Sequence, residues 1–152
     1  MSLILFVCTG NLCRSPMAEA LFRRQVHAAD LANEVQVRSA GVWAQEGRPA
    51  SAGAVAVMAE RGLDIQDHRA HTLTSEDMAE ADLVLVMSRE HLDYLRSMWP
   101  QYTYKVKRVA EMAGRRRDIV DPYGMPHQDY RDTADEIETY LQKGFRAILQ
   151  AL

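Results

Sequence analysis

Two residues suited to phosphate chemistry stand close together near the start of the chain. Cys8 and Arg14 bound the loop sequence Cys8-Thr9-Gly10-Asn11-Leu12-Cys13-Arg14-Ser15, and Pro16 follows it directly. Thiols near helix N-termini and arginines have pKa values of roughly 3.5–7.5 rather than ~8.5, so they are ionised nucleophiles at neutral pH. A guanidinium offers a rigid fork of donors that fits two phosphate oxygens. The spacing therefore predicts a thiolate that attacks a phosphate held by Arg14.

The remaining loop residues are suited to binding an anion through the backbone. Gly10 and Asn11 both tolerate left-handed geometry, which lets successive amides turn inward and form a nest. Ser15 is placed to donate a hydrogen bond to the sulfur of Cys8 or to cap the following helix, and the two roles are compatible. We expect the phosphate to contact Thr9, Gly10, Asn11, Leu12, Cys13 and Arg14.

Phosphoryl transfer to a thiolate also requires an acid for the leaving group. Asp121 is the best candidate, because it stands in the turn-rich sequence Asp121-Pro122-Tyr123-Gly124. An aspartate before proline is biased towards extended geometry, which can project it over a cleft. Asp-Pro alone is a weak signal, and the alternative is an ordinary turn aspartate.

Alternating strand-like and helix-like segments must position these residues. Short aliphatic runs predict strands at 2–7, 35–38, 82–87 and 104–109. The first predicted helix begins at Pro16, and the second covers 52–61 and ends before Gly62. A third begins after a Ser88 cap and ends at Pro100, with Leu92, Leu95 and Met98 on one face. The last is one long amphipathic helix across 137–152.

This alternation predicts an α/β fold with three layers, in which a four-stranded parallel sheet carries helices on both faces. Ligands of such sheets bind beyond the carboxyl ends of the strands. Cys8, Ser39 and Ser88 each stand at or just beyond the end of a predicted strand, so we expect all three along one edge.

Composition limits the remaining possibilities. The 152 residues are 47% hydrophobic, which is enough for one domain spanning 1–152 with one core. The net charge of −3 gives no general attraction to nucleic acid or to anionic membranes. The short run Arg115-Arg116-Arg117 is either a solvated loop or a docking patch for an acidic partner. No apolar stretch approaches the ~20 residues of a membrane span, and no secretory signal is apparent, so a cytoplasmic location is expected.

The motifs resemble the low-molecular-weight protein-tyrosine phosphatases, and most closely the bacterial members. The resemblance rests on 7–19, on Ser39-Ala40-Gly41, on 81–88 and on Asp121-Pro122-Tyr123. It implies a flavodoxin-like (phosphatase-I-like) fold over 1–152. It also implies hydrolysis of phosphotyrosine and aryl phosphates without a metal or other cofactor, and the sequence shows no clustered ligand set of His, Asp and Glu. A tyrosine autokinase of exopolysaccharide export is the substrate protein that the resemblance suggests, with inorganic phosphate as product.

The resemblance assigns a role to each catalytic residue. Cys8 attacks phosphorus and becomes a phosphocysteine, while Arg14 and the loop amides hold the equatorial oxygens. Asp121 protonates the leaving phenol and then deprotonates the water that frees the phosphate. Ser15 lowers the energy of the thiolate and improves it as a leaving group.

The resemblance also implies supporting residues. Asn11 holds the loop in its strained shape with Ser39 and His68 as partners, although His68 alone reads equally as a surface turn residue. Cys13 forms a reversible disulfide with Cys8, or it is a small residue packed under the loop. The substrate walls are Thr9, Leu12, Trp43 and Tyr123, and packing within the fold is the alternative for the tryptophan.

Two positions depart from the family pattern, and three rival interpretations are weaker. Gly124 replaces a second aromatic residue and His71 replaces an arginine. Thioredoxin-coupled arsenate reductases use further cysteines downstream, and none follows Cys13. A non-catalytic phosphotyrosine-binding module would lack the nucleophile, the arginine or the acid, and all three are present. A sugar-transport phosphocarrier has no need of Arg14 together with Asp121.

Overall fold

The computed structural model describes residues 1–152, and its centre is a four-stranded parallel sheet in the order β2-β1-β3-β4. The strands are β1 (Ser2–Cys8), β2 (Val35–Gly41), β3 (Leu83–Val86) and β4 (Val106–Arg108). β1 pairs with β2 from Ser2 opposite Val35 to Cys8 opposite Gly41, and with β3 up to Val7 opposite Val86. The carboxyl ends of the two central strands and β2 therefore meet at one edge.

Helices cover both faces of the sheet, which confirms the three-layer α/β architecture. They are α1 (Arg14–Ala28), α2 (Ala52–Glu60), α3 (Ser75–Glu80), α4 (Arg89–Met98), α5 (Val109–Met112), α6 (His127–Lys143) and α7 (Phe145–Gln150), with a 3₁₀ helix at Pro100–Lys105. The sheet separates two hydrophobic cores, whereas composition alone predicted one. Side chains of β1 alternate between them: Ile4 and Phe6 pack beneath α1 and α6, and Leu3 and Leu5 pack on the α4 side. A strand buried on both faces reads as a continuous aliphatic run, which is why β1 was recognisable.

Several predicted boundaries were wrong. The fourth strand covers only Val106–Arg108, because the chain before it forms the 3₁₀ helix and Val109 already begins α5. The predicted helix across 137–152 is two helices, which meet at Gly144. A Cβ at Gly144 would lie 2.8 Å from the carbonyl of Met112, so this close approach requires glycine.

Three smaller differences concern helices. α1 begins at Arg14, so that Pro16 lies within its first turn rather than opening it. The short helix α3 was not predicted, although Thr74 and Asp77 form a capping box at its start. Met98, expected on the buried face of α4, is 52% exposed. No helix of the protein has both the length and the apolar character that crossing a bilayer requires.

Candidate active site

The predicted phosphate loop, residues 8–14, joins the end of β1 to the start of α1. Cys8 is the last residue of the strand and Arg14 is the first residue of the helix. The chain after β2 holds the loop from one side, since the amides of Val42 and Trp43 donate to the carbonyls of Cys8 and Thr9, each at 3.0 Å. The loop is thus fixed to the sheet by backbone hydrogen bonds as well as by its two ends.

The sulfur of Cys8 is held by the hydroxyl of Ser15. Cys8 is 3% exposed, and its Sγ lies 2.9 Å from Oγ of Ser15, which is fully buried. Nδ2 of Asn11 donates to the same Oγ at 2.8 Å. Because that hydroxyl oxygen already accepts a hydrogen bond, its own proton can point at the sulfur, as expected for stabilising a thiolate, with the carbonyl oxygen of Ala40 as a more distant acceptor at 3.5 Å.

Asn11 is the structural centre of the loop. It is fully buried and has a φ of 57°, a left-handed backbone conformation that asparagine tolerates better than most residues. Its Nδ2 also donates to Oγ of Ser39 at 3.0 Å, and its Oδ1 accepts from the amide of His71 at 3.0 Å. Nε2 of His68 donates to its carbonyl oxygen at 2.8 Å. Every polar group of the side chain is therefore used to maintain the loop's shape.

Two further residues, Glu19 and His71, help to hold Asn11 and the loop in place, and sequence reasoning did not assign this role to them. The hydroxyl of Ser39 donates to Oε1 of Glu19 at 2.5 Å. The backbone of His71 contacts Asn11, whereas its ring lies 2.7 Å from Oδ2 of Asp77 and 3.5 Å from Oε1 of Glu46. At the position where family members often carry arginine, the side chain of His71 thus ties two surrounding segments together.

Arg14 and Asp121 face each other across the opening of the loop. Arg14 is 6% exposed; its Nη1 donates to the carbonyl of Ile119 at 2.9 Å, and its Nη2 lies 3.6 Å from Oδ2 of Asp121. The Nε of Arg14 is buried without a hydrogen-bond partner. The Asp121 side chain is about half exposed, and its Oδ1 accepts from the amide of Tyr123 at 3.1 Å. The carboxylate is thus oriented by its own loop and reachable from solvent.

A cavity of about 200 Å³ lies over this arrangement, lined by Thr9, Gly10, Leu12, Cys13, Arg48, Asp121 and Tyr123. Three of the four predicted wall residues line it. Trp43 does not: its ring is 74% exposed and packs edge-on against Tyr94, with 6.3 Å between the ring centroids. Arg48 lines the cavity and had not been predicted; a lone arginine between Gly47 and Pro49 carries no recognisable signal.

His91 is a second residue that sequence reasoning missed. Its Nε2 lies 2.8 Å from Oγ1 of Thr9, and its Nδ1 lies 3.0 Å from Oγ of Ser88. The side chain is almost fully buried, and this burial, assisted by the positive charge of Arg14, lowers its pKa to about 4. The imidazole is therefore neutral at pH 7. Ser88 caps α4 as predicted, because its Oγ accepts from the amide of His91.

Cys13 is a free, buried thiol beneath the loop. Its Sγ lies 3.0 Å from Oγ of Ser51 and 3.6 Å from the hydroxyl of Tyr130. Burial raises the pKa of this thiol above its ordinary value. Cys8 is likewise free. No group of three or more His, Cys, Asp or Glu side chains is arranged to hold a metal ion.

Fold and site together define a phosphatase, a hydrolase of phosphoric monoesters. Over residues 3–151 the chain matches the family described as low molecular weight phosphotyrosine protein phosphatase, and it belongs to that family. The match covers the phosphate loop, the Asp121 loop and all four strands except Ser2, the first residue of β1. The resemblance inferred from the motifs is therefore confirmed.

Individual relatives differ in the substrate that their names state. The chain is 41% identical over 141 residues to the protein-arginine-phosphatase of Bacillus subtilis, covering 92% of each protein. It is 46% identical over 120 residues to the probable low molecular weight protein-tyrosine-phosphatase EpsP of Ralstonia nicotianae, covering 79% of this chain and 77% of that protein. Its structure matches the low molecular weight protein tyrosine phosphatase of T. tengcongensis with a TM-score of 0.91 and 44% identity, over 97% of this chain and 99% of that one.

Proposed function

We propose that this protein hydrolyses phosphotyrosine in proteins through a phosphocysteine intermediate. The observation that carries the proposal is the contact of Sγ of Cys8 with Ser15, at 2.9 Å, in a loop closed by a buried Arg14. The thiolate attacks phosphorus, and the phosphorus–oxygen bond to the phenol breaks. Splitting hydrolysis into two displacements is the benefit of a covalent nucleophile.

Arg14 and the loop amides stabilise the negative charge of the phosphoryl group during its transfer. The buried Nε–H of Arg14 has no partner within the protein, and a phosphate oxygen would supply one. Fixed donors in a water-poor site stabilise developing charge without reorganising at the moment of reaction. Neutralisation of the phosphate is therefore assigned to protein groups.

Asp121 serves as the acid and then as the base. Its protonated carboxyl gives a proton to the leaving phenolate; the resulting carboxylate then takes a proton from the water that attacks phosphocysteine. Inorganic phosphate leaves, and the Cys8 thiolate is restored. The half-exposed carboxyl can exchange protons with water, and its Oδ2, 3.6 Å from Nη2 of Arg14, lies beside the phosphate that Arg14 would hold.

Phosphoarginine is the second candidate substrate, favoured by the relative named a protein-arginine-phosphatase. The guanidinium of that substrate requires hydrogen-bond acceptors beside the loop. Asp121 is one such acceptor in the lining. Leu12 offers none, and its side chain and the ring of Tyr123 form an apolar wall on which a phenyl ring packs. The lining of the cavity therefore favours phosphotyrosine.

Steady-state kinetics on matched peptides test the proposal. We expect kcat/KM for a phosphotyrosine peptide to exceed that for a phosphoarginine peptide by at least about tenfold, in the range of discrimination by one well-formed pocket. Cys8→Ser abolishes turnover while the fold persists, and Asp121→Ala slows aryl phosphate hydrolysis by roughly 10²–10⁴. The exposed Asp93→Ala serves as a matched control. A preference for phosphoarginine would reassign the substrate, and full activity in Cys8→Ser would refute the mechanism.

The protein partner is proposed to be a tyrosine autokinase of exopolysaccharide export, as the family resemblance implies. A trap experiment addresses this partner directly. Asp121→Ala binds phosphoprotein but turns it over slowly, so phosphotyrosine proteomics on the captured material identifies the substrate. The double variant Cys8→Ser/Arg14→Ala serves as the control for nonspecific capture. If Asp121→Ala captures only proteins without phosphotyrosine, in the same amounts as the double variant, the result would count against the proposed partner.

A further inference from the structure

A second, larger cleft opens beside the cavity over the phosphate loop. It encloses about 590 Å³ between the chain at 48–53 and the chain at 123–127, with Tyr130 also in its lining. Leu12, Arg48 and Tyr123 line both spaces, so the cleft is continuous with the active-site mouth. Its volume lies within the range of cavities that bind small ligands or peptide side chains.

Gly124 lines the cleft and contributes no side chain to it. No atom lies within 4 Å of the position that a Cβ would take at Gly124. Beside it, Tyr123 and Met125 are each 51% exposed, whereas Ala50 and Tyr130 form a buried floor. Exposed large apolar side chains above such a floor provide a surface on which another apolar side chain can pack.

Arg48 supplies the one uncompensated charge in the lining. It forms no ion pair, and its Nη2 donates to the hydroxyl of Tyr123 at 3.0 Å. The other basic residue of the cleft, His127, lies 2.9 Å from Oε2 of Glu60. Glu60 is firmly ionised, because Arg131 and His127 lower its pKa to about 2. An acidic group entering the cleft therefore meets an unpaired guanidinium.

We propose that this cleft is a subsite for the residues that flank the phosphorylated side chain of a protein substrate, with an acidic neighbour at Arg48 and an apolar neighbour against Met125. The proposal rests on the proposed function, since the phosphorylated side chain enters at the shared mouth. The cleft shares Leu12, Arg48 and Tyr123 with the mouth, so residues next to the phosphorylated one, which extend the chain by at most about 7 Å for two residues, lie against it on one flank. The occupant is a segment of the substrate chain itself.

Phosphotyrosine peptides that differ only in their neighbours test the charged part. Peptides carrying Glu, Gln or Lys on both sides of the phosphotyrosine are compared by kcat/KM at low ionic strength. We expect wild type to favour Glu over Gln by about three- to fivefold, the range of one exposed ion pair. Arg48→Gln brings this ratio close to one, and Arg48→Glu makes Lys the preferred neighbour. Because each ratio compares peptides on one enzyme, effects on the phosphate chemistry cancel.

Two matched controls sharpen the test. Arg115→Gln changes an exposed arginine of the basic run 115–117, which lies beside the C-terminal half of α6, away from the cleft. We expect this variant to keep the wild-type Glu/Gln ratio of kcat/KM. For the apolar part, Met125→Ser lowers the preference for Leu over Ser neighbours by about threefold. Met98→Ser leaves that preference unchanged, although Met98 is as exposed as Met125 (52% against 51%).

The outcomes separate this proposal from the proposed function. Absence of turnover on every phosphotyrosine peptide and on p-nitrophenyl phosphate would overturn the function itself. Turnover of all peptides with ratios near one, or ratios that Arg48→Glu does not change, would overturn the subsite alone. Ratios that follow the charge at position 48 support it.

Discussion

Oγ1 of Thr9 lies 2.8 Å from Nε2 of His91, which follows 82 positions later in the chain. Thr9 directly follows the nucleophile at the end of β1, and His91 lies in the first turn of α4 after β3. Because β1 and β3 are adjacent parallel strands, these two ends are neighbours in space. Ser88 holds the other ring nitrogen at 3.0 Å, so the imidazole is fixed from both sides and in turn fixes the hydroxyl of Thr9.

His91→Phe is expected to lower kcat/KM for an aryl phosphate by about three- to tenfold, the effect of losing one neutral hydrogen bond that positions the loop. His91→Gln loses less, because its amide can still donate to Thr9. A double-mutant cycle with Thr9→Val measures the coupling: if His91 acts through Thr9, the two losses do not add. Fully additive losses would show that His91 acts elsewhere.

The same histidine predicts a dependence of stability on pH. Its pKa is about 4 in the folded protein and 6.5 when unperturbed, because burial disfavours the charged ring. Between pH 6.5 and pH 4 the unfolded chain binds more protons, so the free energy of unfolding falls as the pH falls. The loss from this group reaches about 3 kcal/mol at the acid end and is absent above pH 6.5.

Urea unfolding of wild type and His91→Gln at pH 7.0, 5.5 and 4.5 isolates this contribution. Carboxylates titrate in both proteins and cancel in the comparison. We expect the stability difference between the two to shrink, or reverse in favour of the variant, as the pH falls. Parallel pH dependences would mean that His91 is not buried as a neutral ring.

The contiguous part of the site could be predicted from residue spacing. Asp121 gave only a weak signal, Ser39 and His68 were expected only from the family resemblance, and Arg48 and His91 could not be predicted. Cys8, Arg14 and Ser15 are informative because their spacing in one loop has few structural alternatives. Arg48 lines the cavity and His91 contacts Thr9 only through the folding of distant segments, and a single arginine or histidine has no spacing that reveals this. Trp43 stays a predicted wall residue that lies outside the lining of the cavity over the loop, because a position near a strand end does not fix which way a side chain turns.

The fold shows the same division. β1 and β3 were recognisable because burial on both faces leaves an unbroken aliphatic run. The break between α6 and α7 was not, because the apolar spacing continues through Gly144, where the backbone lies close to that of Met112. Periodicity records which face is buried, not where a neighbouring backbone approaches.

Gly41→Ala is expected to damage catalysis more than stability. A Cβ at this position would lie 2.6 Å from the carbonyl oxygen of Thr9 and 2.9 Å from the amide of Asn11, both backbone atoms of the phosphate loop. The loop must shift, and displacement of a reacting group by about 1 Å can cost on the order of 10² in rate. Steady-state kinetics and thermal unfolding measure the two effects separately.

Gly144→Ala is the matched control, because its Cβ would meet the backbone of Met112 at a similar 2.8 Å, away from the residues of the phosphate loop. It should lower the melting temperature while kcat/KM of the folded enzyme stays near wild type. If both variants lose the same amount of kcat/KM, the loss in Gly41→Ala does not come specifically from a shift of the phosphate loop.

Cys13 is expected to make oxidation of the enzyme reversible. Peroxide converts the Cys8 thiolate to a sulfenic acid; attack by the Cys13 sulfur forms a disulfide and releases water, which dithiothreitol later reverses. Because burial raises the pKa of Cys13, little of it is thiolate at pH 7, so disulfide formation should accelerate between pH 7 and pH 9. Activity recovered after peroxide and dithiothreitol, together with mass spectrometry of the bridged peptide, measures this.

In Cys13→Ser the sulfenic acid has no resolving partner, so longer exposure to peroxide drives Cys8 to the irreversible sulfinic and sulfonic acids, and recovery is lost. Forming the bridge requires Sγ of Cys13 to leave Ser51 and Tyr130, with which it is in contact at 3.0 and 3.6 Å. Equal recovery in wild type and Cys13→Ser would show that these contacts hold the thiol in place and that it is a packing residue beneath the loop.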